Sequence, residues 1–280
     1  MMYIYILLSK TIFLIADRIR KKMCYNINYL TKKKEEYARR LRGLLTTSDF
    51  GESWERIRNK VDPVYYETGF NHPDIPVITD DQPVQIQLFG WGLIPFWVKD
   101  PKQAVELSNR TLNARGEEIF QKPSFRNSAM KKRCLIIVDG FFEYHWHNGI
   151  SYPFYIRMKN DDPILLAGLW ETWHYKAGGM TRNTCSIVTT RANPLMEYIH
   201  NQPKGSEGSR MPLIVPEGME GKWLMEINDK LDQREIQKLI QPFDESMLDF
   251  YTVPRLKGKE GVGNSPQAII RHPYPELPRK

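Results

Sequence analysis

A run of apolar and β-branched residues occupies the middle of the chain, closes with Asp139-Gly140 and continues as Phe141-Phe142-Glu143. Short continuous apolar runs bounded by turn residues are typical of strands buried on both faces, so we predict a buried strand over residues 133–138. The acid that follows stands between aromatic residues. Burial there would favour its protonated form and makes Glu143 a candidate acid or base, whereas an exposed Glu143 would only pair with a surface arginine.

The patterns along the rest of the chain do not alternate regularly between strand and helix, as a parallel α/β fold would require. Asn148-Gly149 predicts a tight hairpin turn between strands at residues 143–147 and 152–157. Further strands are predicted at residues 64–66, 77–79, 84–89, 164–170, 185–190 and 248–253, and helices at residues 32–45, 193–200, 218–227 and 232–240. The rest of residues 49–81 is predicted to be loop. We therefore expect an α+β fold with a bent antiparallel sheet.

The positive charge of the chain is concentrated at its two ends. The formal net charge is +7, and residues 1–23 and 255–280 each contribute +4, so that the residues between them sum to −1. Bulk charge therefore does not argue for a nucleic-acid partner, and only a local patch would. The segment at residues 255–280 is rich in Pro, Gly and Lys, and we expect it to be a disordered tail.

The three cysteines, Cys24, Cys134 and Cys185, lie far apart in the sequence. This spacing excludes a disulfide scaffold and a thiolate zinc site, and it suits a protein of the reducing cytoplasm. Cys134 and Cys185 fall within predicted strands and are interpreted as small buried hydrophobic residues.

Residues 1–22 differ in character from the rest of the chain. Their apolar part comes before their basic cluster and ends in no small-residue cleavage site, unlike a secretory signal, and it is too short and interrupted to span a membrane. A membrane-surface anchor is an alternative. We expect instead that residues 1–22 are a non-native extension of the start site, that the protein begins at Met23, and that Cys24 is its second residue.

A metal site is another possible interpretation of the segment after the central strand. Glu143, His145 and His147 have the same parity and would share one face of a strand, where two imidazoles and a carboxylate can bind zinc. His147 adjoins the hairpin turn, where an exposed histidine is ordinary, and no further ligand cluster accompanies these residues. We therefore expect neither a metal nor another cofactor.

A series of short motifs follows along the chain: Met23-Cys24, Trp91-Gly92-Leu93-Ile94-Pro95, Asn113-Ala114-Arg115, Lys122-Pro123-Ser124-Phe125-Arg126, Arg133-Cys134 with Asp139-Gly140-Phe141-Phe142-Glu143, Ala167-Gly168-Leu169-Trp170-Glu171, Thr189-Thr190 with Ala192-Asn193, and Ile199-His200 with Arg210-Met211-Pro212. In these motifs and their order the chain resembles the SRAP family, the SOS-response-associated peptidases understood as abasic-site processing proteins. The resemblance extends over about residues 23–253. It implies one compact domain, at residues 23–254, around a barrel-like, mainly antiparallel sheet with peripheral helices.

The resemblance also implies a DNA-damage protein that binds single-stranded DNA and captures abasic sites covalently, besides an older proposal of autoproteolysis. The catalytic residues it implies are Cys24, Asn113, Glu143 and His200, and the DNA-binding residues are Trp91, Arg115, Thr189 and Arg210. An opened abasic site is an aldehyde, which the α-amine of an N-terminal cysteine can attack to form a Schiff base. The thiol of Cys24 then closes a thiazolidine ring. Glu143 and His200 suit the proton transfers, Asn113 can hold the sugar or nucleophile, and Arg115 can meet a phosphate.

The chain departs from the family pattern in two places. Tyr25 and Asn26 follow Cys24 where the family commonly has Gly-Arg, and the segment from His200 to Arg210 is longer than usual. Both departures affect details of DNA contact rather than the class of protein.

Two other functions also fit the sequence. One is an N-terminal-nucleophile cysteine peptidase that uses Cys24 without cross-linking DNA. The other is a non-catalytic single-strand binder that uses Trp91 and Arg115. For all of them we expect a cytoplasmic monomer with no membrane partner.

Overall fold

The computed structural model describes residues 25–202 and 208–277. The predictions for residues 1–22 and for Cys24 concern residues outside this part of the chain. Within the described part, no helix is long and apolar enough to cross a membrane.

The strands and helices are numbered in chain order. The strands are β1 Asn26–Tyr29, β2 Val64–Thr68, β3 Asp74–Thr79, β4 Gln87–Trp91, β5 Asn113–Arg115, β6 Arg133–Val138, β7 Gly140–His147, β8 Ile150–Met158, β9 Ile164–Tyr175, β10 Met180–Arg191, β11 Arg210–Pro212 and β12 Leu248–Thr252. The helices are α1 Lys34–Leu41, α2 Thr47–Arg58, α3 Pro101–Ser108, α4 Arg126–Lys131, α5 Pro194–Ile199, α6 Glu220–Leu224 and α7 Lys230–Lys238.

A closed barrel forms the centre of the fold. Strands β10, β4, β3, β6 and β9 pair in that order, and β9 pairs again with β10, which closes the ring. All of these pairs are antiparallel except β10 with β4. Every residue of β6 is buried, as predicted for residues 133–138. The expected α+β fold with a barrel-like, mainly antiparallel sheet is therefore confirmed.

A second, five-stranded antiparallel sheet packs against the barrel, in the order β12-β8-β7-β1-β2. Strands β7 and β8 form the predicted hairpin, and both turn residues, Asn148 and Gly149, have positive φ. Two such residues in succession match the twist of the paired strands, which explains the Asn-Gly sequence. Phe141 of β7 joins the main core, whereas Phe142 joins a separate aromatic cluster on the opposite face of this sheet.

The prediction of loop for most of residues 49–81 was wrong at its start, where helix α2 lies. The Thr46 hydroxyl accepts a hydrogen bond from the Asp49 amide at 3.2 Å and caps the helix. Phe50, Trp54 and Ile57 are buried along one side. Their helical spacing is the signal for this helix in the sequence, but Gly51 and the polar residues between them weaken the local helix propensity.

The segment after Arg255 is packed rather than disordered as far as Leu277. Leu256 and Ala268 are buried in the aromatic cluster on the outer face of the five-stranded sheet. The Tyr251 hydroxyl donates to the Ile269 carbonyl at 2.9 Å, and the Tyr274 hydroxyl donates to the Val253 carbonyl at 3.0 Å. The composition of the segment suggests disorder because its apolar residues are few. Composition does not show that the aromatic outer face of the five-stranded sheet supplies packing partners for those residues.

Gly140, at the start of β7, lies where a side chain has no room. A Cβ there would approach the Ile156 carbonyl oxygen to 2.5 Å and would also meet the Tyr155 ring. We expect Gly140→Ala to lower the free energy of unfolding by about 1–3 kcal/mol, because backbone and an aromatic ring must both shift. Urea denaturation will measure this. Gly43→Ala is the matched control: it has no atom within 4 Å of the added Cβ. An equal loss of stability in both variants would contradict the prediction.

Candidate active site

Glu143 and His200, predicted from the sequence as catalytic residues, lie together in the structure. Glu143 is 5% exposed on β7, and His200 is 7% exposed at the end of α5. The His200 Nδ1 lies 3.5 Å from the Glu143 Oε2. Helix α5 begins at Pro194, and the Asn193 side chain caps it by accepting a hydrogen bond from the Met196 amide at 2.8 Å.

The electrostatics of this pair favour the protonated imidazole. Burial alone would lower the pKa of His200, but the neighbouring Glu143 carboxylate outweighs burial and raises the pKa above its ordinary value. An imidazolium beside a carboxylate, both shielded from water, is a group that can deliver or accept a proton near neutral pH.

We expect Glu143→Gln to reverse the direction of the pKa shift at His200. The substitution removes the charge and leaves burial as the main influence, so the pKa of His200 should fall from above to below its usual 6.5. NMR titration of the imidazole will measure both values. In the wild type, the pKa of His200 is higher in the folded chain than in the unfolded chain. Its interaction with Glu143 therefore stabilises the fold at pH values below the unfolded-state pKa, and this stabilisation is lost as the pH rises through the folded-state pKa. An unchanged His200 titration in Glu143→Gln would contradict the coupling.

Strand β7 and helix α5 are held together by further hydrogen bonds beside the pair. A ring nitrogen of His145, Nδ1, lies 2.8 Å from the Tyr198 carbonyl oxygen. Asn201 accepts from the Trp146 amide and donates to the Trp146 carbonyl, both at 2.8 Å. These contacts fix the end of the helix against the strand, so that the distance between Glu143 and His200 does not depend on their own contact alone.

The N-terminal strand enters the fold next to Glu143. In β1, Asn26 pairs with Phe142 and Ile27 pairs with Phe141 in antiparallel register. Continuing that register by one residue places Tyr25 opposite Glu143. The Tyr25 carbonyl also accepts a hydrogen bond from the Gly69 amide at 2.9 Å, which holds this end of the strand. Tyr25 is the first described residue and directly follows Cys24 in the sequence.

Asn113 and Arg115 lie on β5, which runs parallel to β10. Asn113 pairs with Ile187 and Arg115 pairs with Thr189. Asn113 is buried, whereas Arg115 is only half-buried and its guanidinium lies 4.0 Å from the Glu118 carboxylate. The contact of Arg115 with a phosphate stays a prediction.

The prediction that Trp91, Thr189 and Arg210 contact DNA is not supported by their positions. Trp91 is fully buried and donates its indole hydrogen to the Leu112 carbonyl at 2.8 Å, so it has no open face for a base. Arg210 is buried, and its guanidinium contacts the Glu117 carboxylate at 2.7 Å and the Thr189 carbonyl at 2.8 Å. Thr189 is 1% exposed. These side chains stabilise the junction of β10 with its neighbours.

Two exposed aromatic residues follow β4, and neither is among the predicted DNA-binding residues. Phe96 is 55% exposed and Trp97 is 39% exposed, whereas the flanking Ile94 and Val98 are buried. Adjacent aromatic residues after a proline were the available signal, but only burial distinguishes them from Trp91. Exposed aromatic rings are the groups on which bases stack.

The metal alternative receives no support from the described residues, among which no group of three or more His, Cys, Asp or Glu is placed to hold a metal ion.

Comparison with known proteins identifies relatives along most of the chain. The family described as SOS response associated peptidase (SRAP) matches residues 23–259. The abasic site processing protein YoqW of Bacillus subtilis is 35% identical over 199 residues, which is 71% of this chain and 82% of that protein. The abasic site processing protein HMCES of Xenopus tropicalis is 29% identical over 174 residues, 55% of this chain and 48% of its own length.

A crystal structure of a protein from Bacteroides thetaiotaomicron superposes with a TM-score of 0.75 at 34% identity, covering 89% of this chain and all of that one. The family match and the fold agree with the motifs that surround the Glu143–His200 pair. The chain belongs to the SRAP family.

Proposed function

We propose that this protein captures abasic sites in single-stranded DNA covalently, with Cys24 as its N-terminal nucleophile. The observation that carries the proposal is the buried pair of Glu143 and His200, 3.5 Å apart, beside the strand that continues directly from Cys24. The relatives named as abasic site processing proteins support the same substrate class.

The reaction begins at the aldehyde carbon of the opened sugar. The α-amine of Cys24 adds to this carbon, and the resulting carbinolamine loses its hydroxyl as water to give a Schiff base, a step that needs an acid. The thiol of Cys24 then adds to the imine carbon, its proton passes to the nitrogen, and a five-membered thiazolidine ring closes. No oxidant or cofactor is required.

Glu143 and His200 divide the proton transfers. Glu143 lies on β7, the strand that pairs with the incoming β1, so we assign to it the proton transfer at the carbinolamine. Its carboxylate takes up the proton that the attacking amine releases and returns that proton to the departing hydroxyl. His200, with its raised pKa, serves the opening of the sugar ring or reversal of the adduct. Asn113 holds the sugar or the nucleophile by its amide.

The DNA strand contacts the protein through Arg115 and through the exposed rings of Phe96 and Trp97. Arg115 offers a guanidinium to a phosphate, and the two rings offer stacking faces to bases. Arg115 pairs with Thr189 of β10. Ile94, which precedes the two rings in the sequence, donates its amide hydrogen to the Thr184 hydroxyl of the same strand at 2.9 Å.

A denaturing gel tests the proposal. The protein is incubated with single-stranded DNA that carries one abasic site, with the same strand lacking the lesion, and with the borohydride-reduced lesion, which has no aldehyde. We expect a shifted band that survives heat and denaturant with the first DNA only. Absence of that band overturns the proposal.

The mechanism also requires a free α-amine on Cys24. Intact-mass measurement on protein from its native cell should therefore give a chain that begins at Cys24. A native species that retains residues 1–23 and still forms the adduct would contradict the mechanism.

The family description also names a peptidase. Removal of Met23 by the protein itself would expose the same Cys24 amine. A protein that processes its N-terminus but gives no DNA adduct would be the N-terminal-nucleophile peptidase, and one that binds the strand without an adduct would be a non-catalytic binder.

A further inference from the structure

Asn26, two residues after Cys24, is held by a buried hydroxyl from a neighbouring strand. The Tyr66 hydroxyl, on β2, donates a hydrogen bond to the Asn26 Oδ1 at 2.9 Å. Both residues are buried, at 7% and 8% exposure. Burial, with contributions from Tyr144 and Glu67, raises the pKa of Tyr66, so that its hydroxyl stays protonated and remains the donor.

The ring of Tyr66 is itself fixed by packing. It meets the Phe142 ring edge-on at 5.4 Å between centroids, and the Lys257 ammonium lies over it at 5.7 Å. Phe142 is also the residue that pairs with Asn26 across β1 and β7. The hydroxyl therefore reaches Asn26 from a ring that has little freedom to move.

The C-terminal segment holds the same strand from its outer edge. Strand β2 is the last in the five-stranded sheet. The Asn264 Oδ1 accepts hydrogen bonds from the amides of Tyr65 at 2.8 Å and Tyr66 at 3.3 Å. Asn264 lies beyond residue 259, where the family match ends. Hydrogen bonds thus connect the packed C-terminal segment, through Tyr66, to the strand that begins next to Cys24.

We propose that Tyr66 is a positioning residue for the Cys24 nucleophile: its hydroxyl fixes Asn26 and thereby the direction in which the N-terminus leaves the sheet, while Asn264 fixes Tyr66. This inference rests on the proposed function, because it concerns the rate at which Cys24 attacks the abasic aldehyde. Attack requires the amine near van der Waals contact with the aldehyde carbon, and misplacement by about 1 Å can cost on the order of 10²-fold in rate.

The test is Tyr66→Phe, which keeps the ring and removes only the donor. Adduct formation with abasic single-stranded DNA is followed over a range of DNA concentrations. We expect the maximal rate constant to fall by about tenfold or more while the half-saturating DNA concentration stays unchanged, because the hydroxyl orients the nucleophile and does not contact DNA. Asn264→Ala should give a smaller decrease in the same constant.

Tyr251→Phe is the matched control. It removes a hydroxyl from the same aromatic cluster, but one that bonds to the Ile269 carbonyl rather than to Asn26. Its adduct rate should equal that of the wild type. The double variant of Tyr66→Phe with Asn26→Ala should be no slower than the slower single variant, since both break one hydrogen bond. Circular dichroism confirms that each variant is folded at the assay temperature.

The outcomes separate the two proposals. A wild-type protein that forms no adduct overturns the proposed function. A wild-type protein that forms the adduct, with Tyr66→Phe equally fast, overturns the positioning role alone. Equal slowing of Tyr66→Phe and Tyr251→Phe also overturns it, because the cluster then acts only through stability. The positioning role is also overturned if Tyr66→Phe raises the half-saturating DNA concentration and leaves the maximal rate constant unchanged, since Tyr66 would then act on DNA binding.

Discussion

Cys24→Ala should abolish the stable adduct with abasic single-stranded DNA. Alanine at the N-terminus still presents an α-amine, which can form a Schiff base that borohydride traps, but it has no thiol to close the thiazolidine ring. A Schiff base without that ring is hydrolysed. We therefore expect no band on a denaturing gel without borohydride and a residual band with it.

Cys134→Ala and Cys185→Ala provide the matched controls. Both cysteines are fully buried in barrel strands, and burial raises the pKa of each thiol, so neither is a nucleophile. Their backbone nitrogens are amides and cannot form a Schiff base. Both variants, once shown to be folded, should form the adduct as the wild type does. Loss of the adduct in folded Cys134→Ala would show that the wrong thiol has been assigned.

Glu143→Gln should slow adduct formation by roughly 10²-fold or more, the usual contribution of a general acid or base. Glutamine has nearly the same shape and leaves β7 in place, but it cannot give a proton to the departing hydroxyl of the carbinolamine. The rate is measured from adduct time courses at saturating abasic DNA. Glu117→Gln is a suitable control, because Glu117 is a carboxylate that pairs with Arg210 and lies outside the proposed proton transfers.

His200→Ala should fail at a different step. Without the imidazole, sugar opening or adduct reversal should change more than the attack of the amine. Pre-opened aldehyde substrates and reversal assays on purified adduct distinguish these steps. If folded Glu143→Gln and His200→Ala both form and reverse adducts at wild-type rates, the pair serves the structure only.

Local sequence signals were sufficient for several elements because the physical cause of each is local. The apolar run of β6 forms a strand buried on both faces. Asn148-Gly149 adopts the positive φ angles that its hairpin requires, and Asn193-Pro194 starts a helix by capping and by a preset φ. The motifs also predicted Glu143 and His200 as partners in one site, although they belong to different elements.

Burial was the property that the sequence could not decide. Trp91 and Trp97 stand in the same motif region, yet one is fully buried and the other is 39% exposed. Arg210 resembles a DNA-contacting arginine in isolation but pairs with Glu117 in the structure. Exposure depends on which surfaces meet when distant segments pack together, and no short stretch of sequence contains that information.

The closure of the barrel and the packing of the C-terminal segment also depend on the tertiary structure rather than on local sequence. Strand β10 pairs with β4 on one side and with β9 on the other, and such non-local pairing follows from the whole topology rather than from the composition of one strand. The sequence of residues 255–277 is polar enough to suggest disorder. Only the tertiary structure brings this segment against the aromatic face of the second sheet, where the Asn264 side chain accepts hydrogen bonds from the Tyr65 and Tyr66 amides of β2. A weakly apolar segment becomes ordered when a preformed surface supplies its partners.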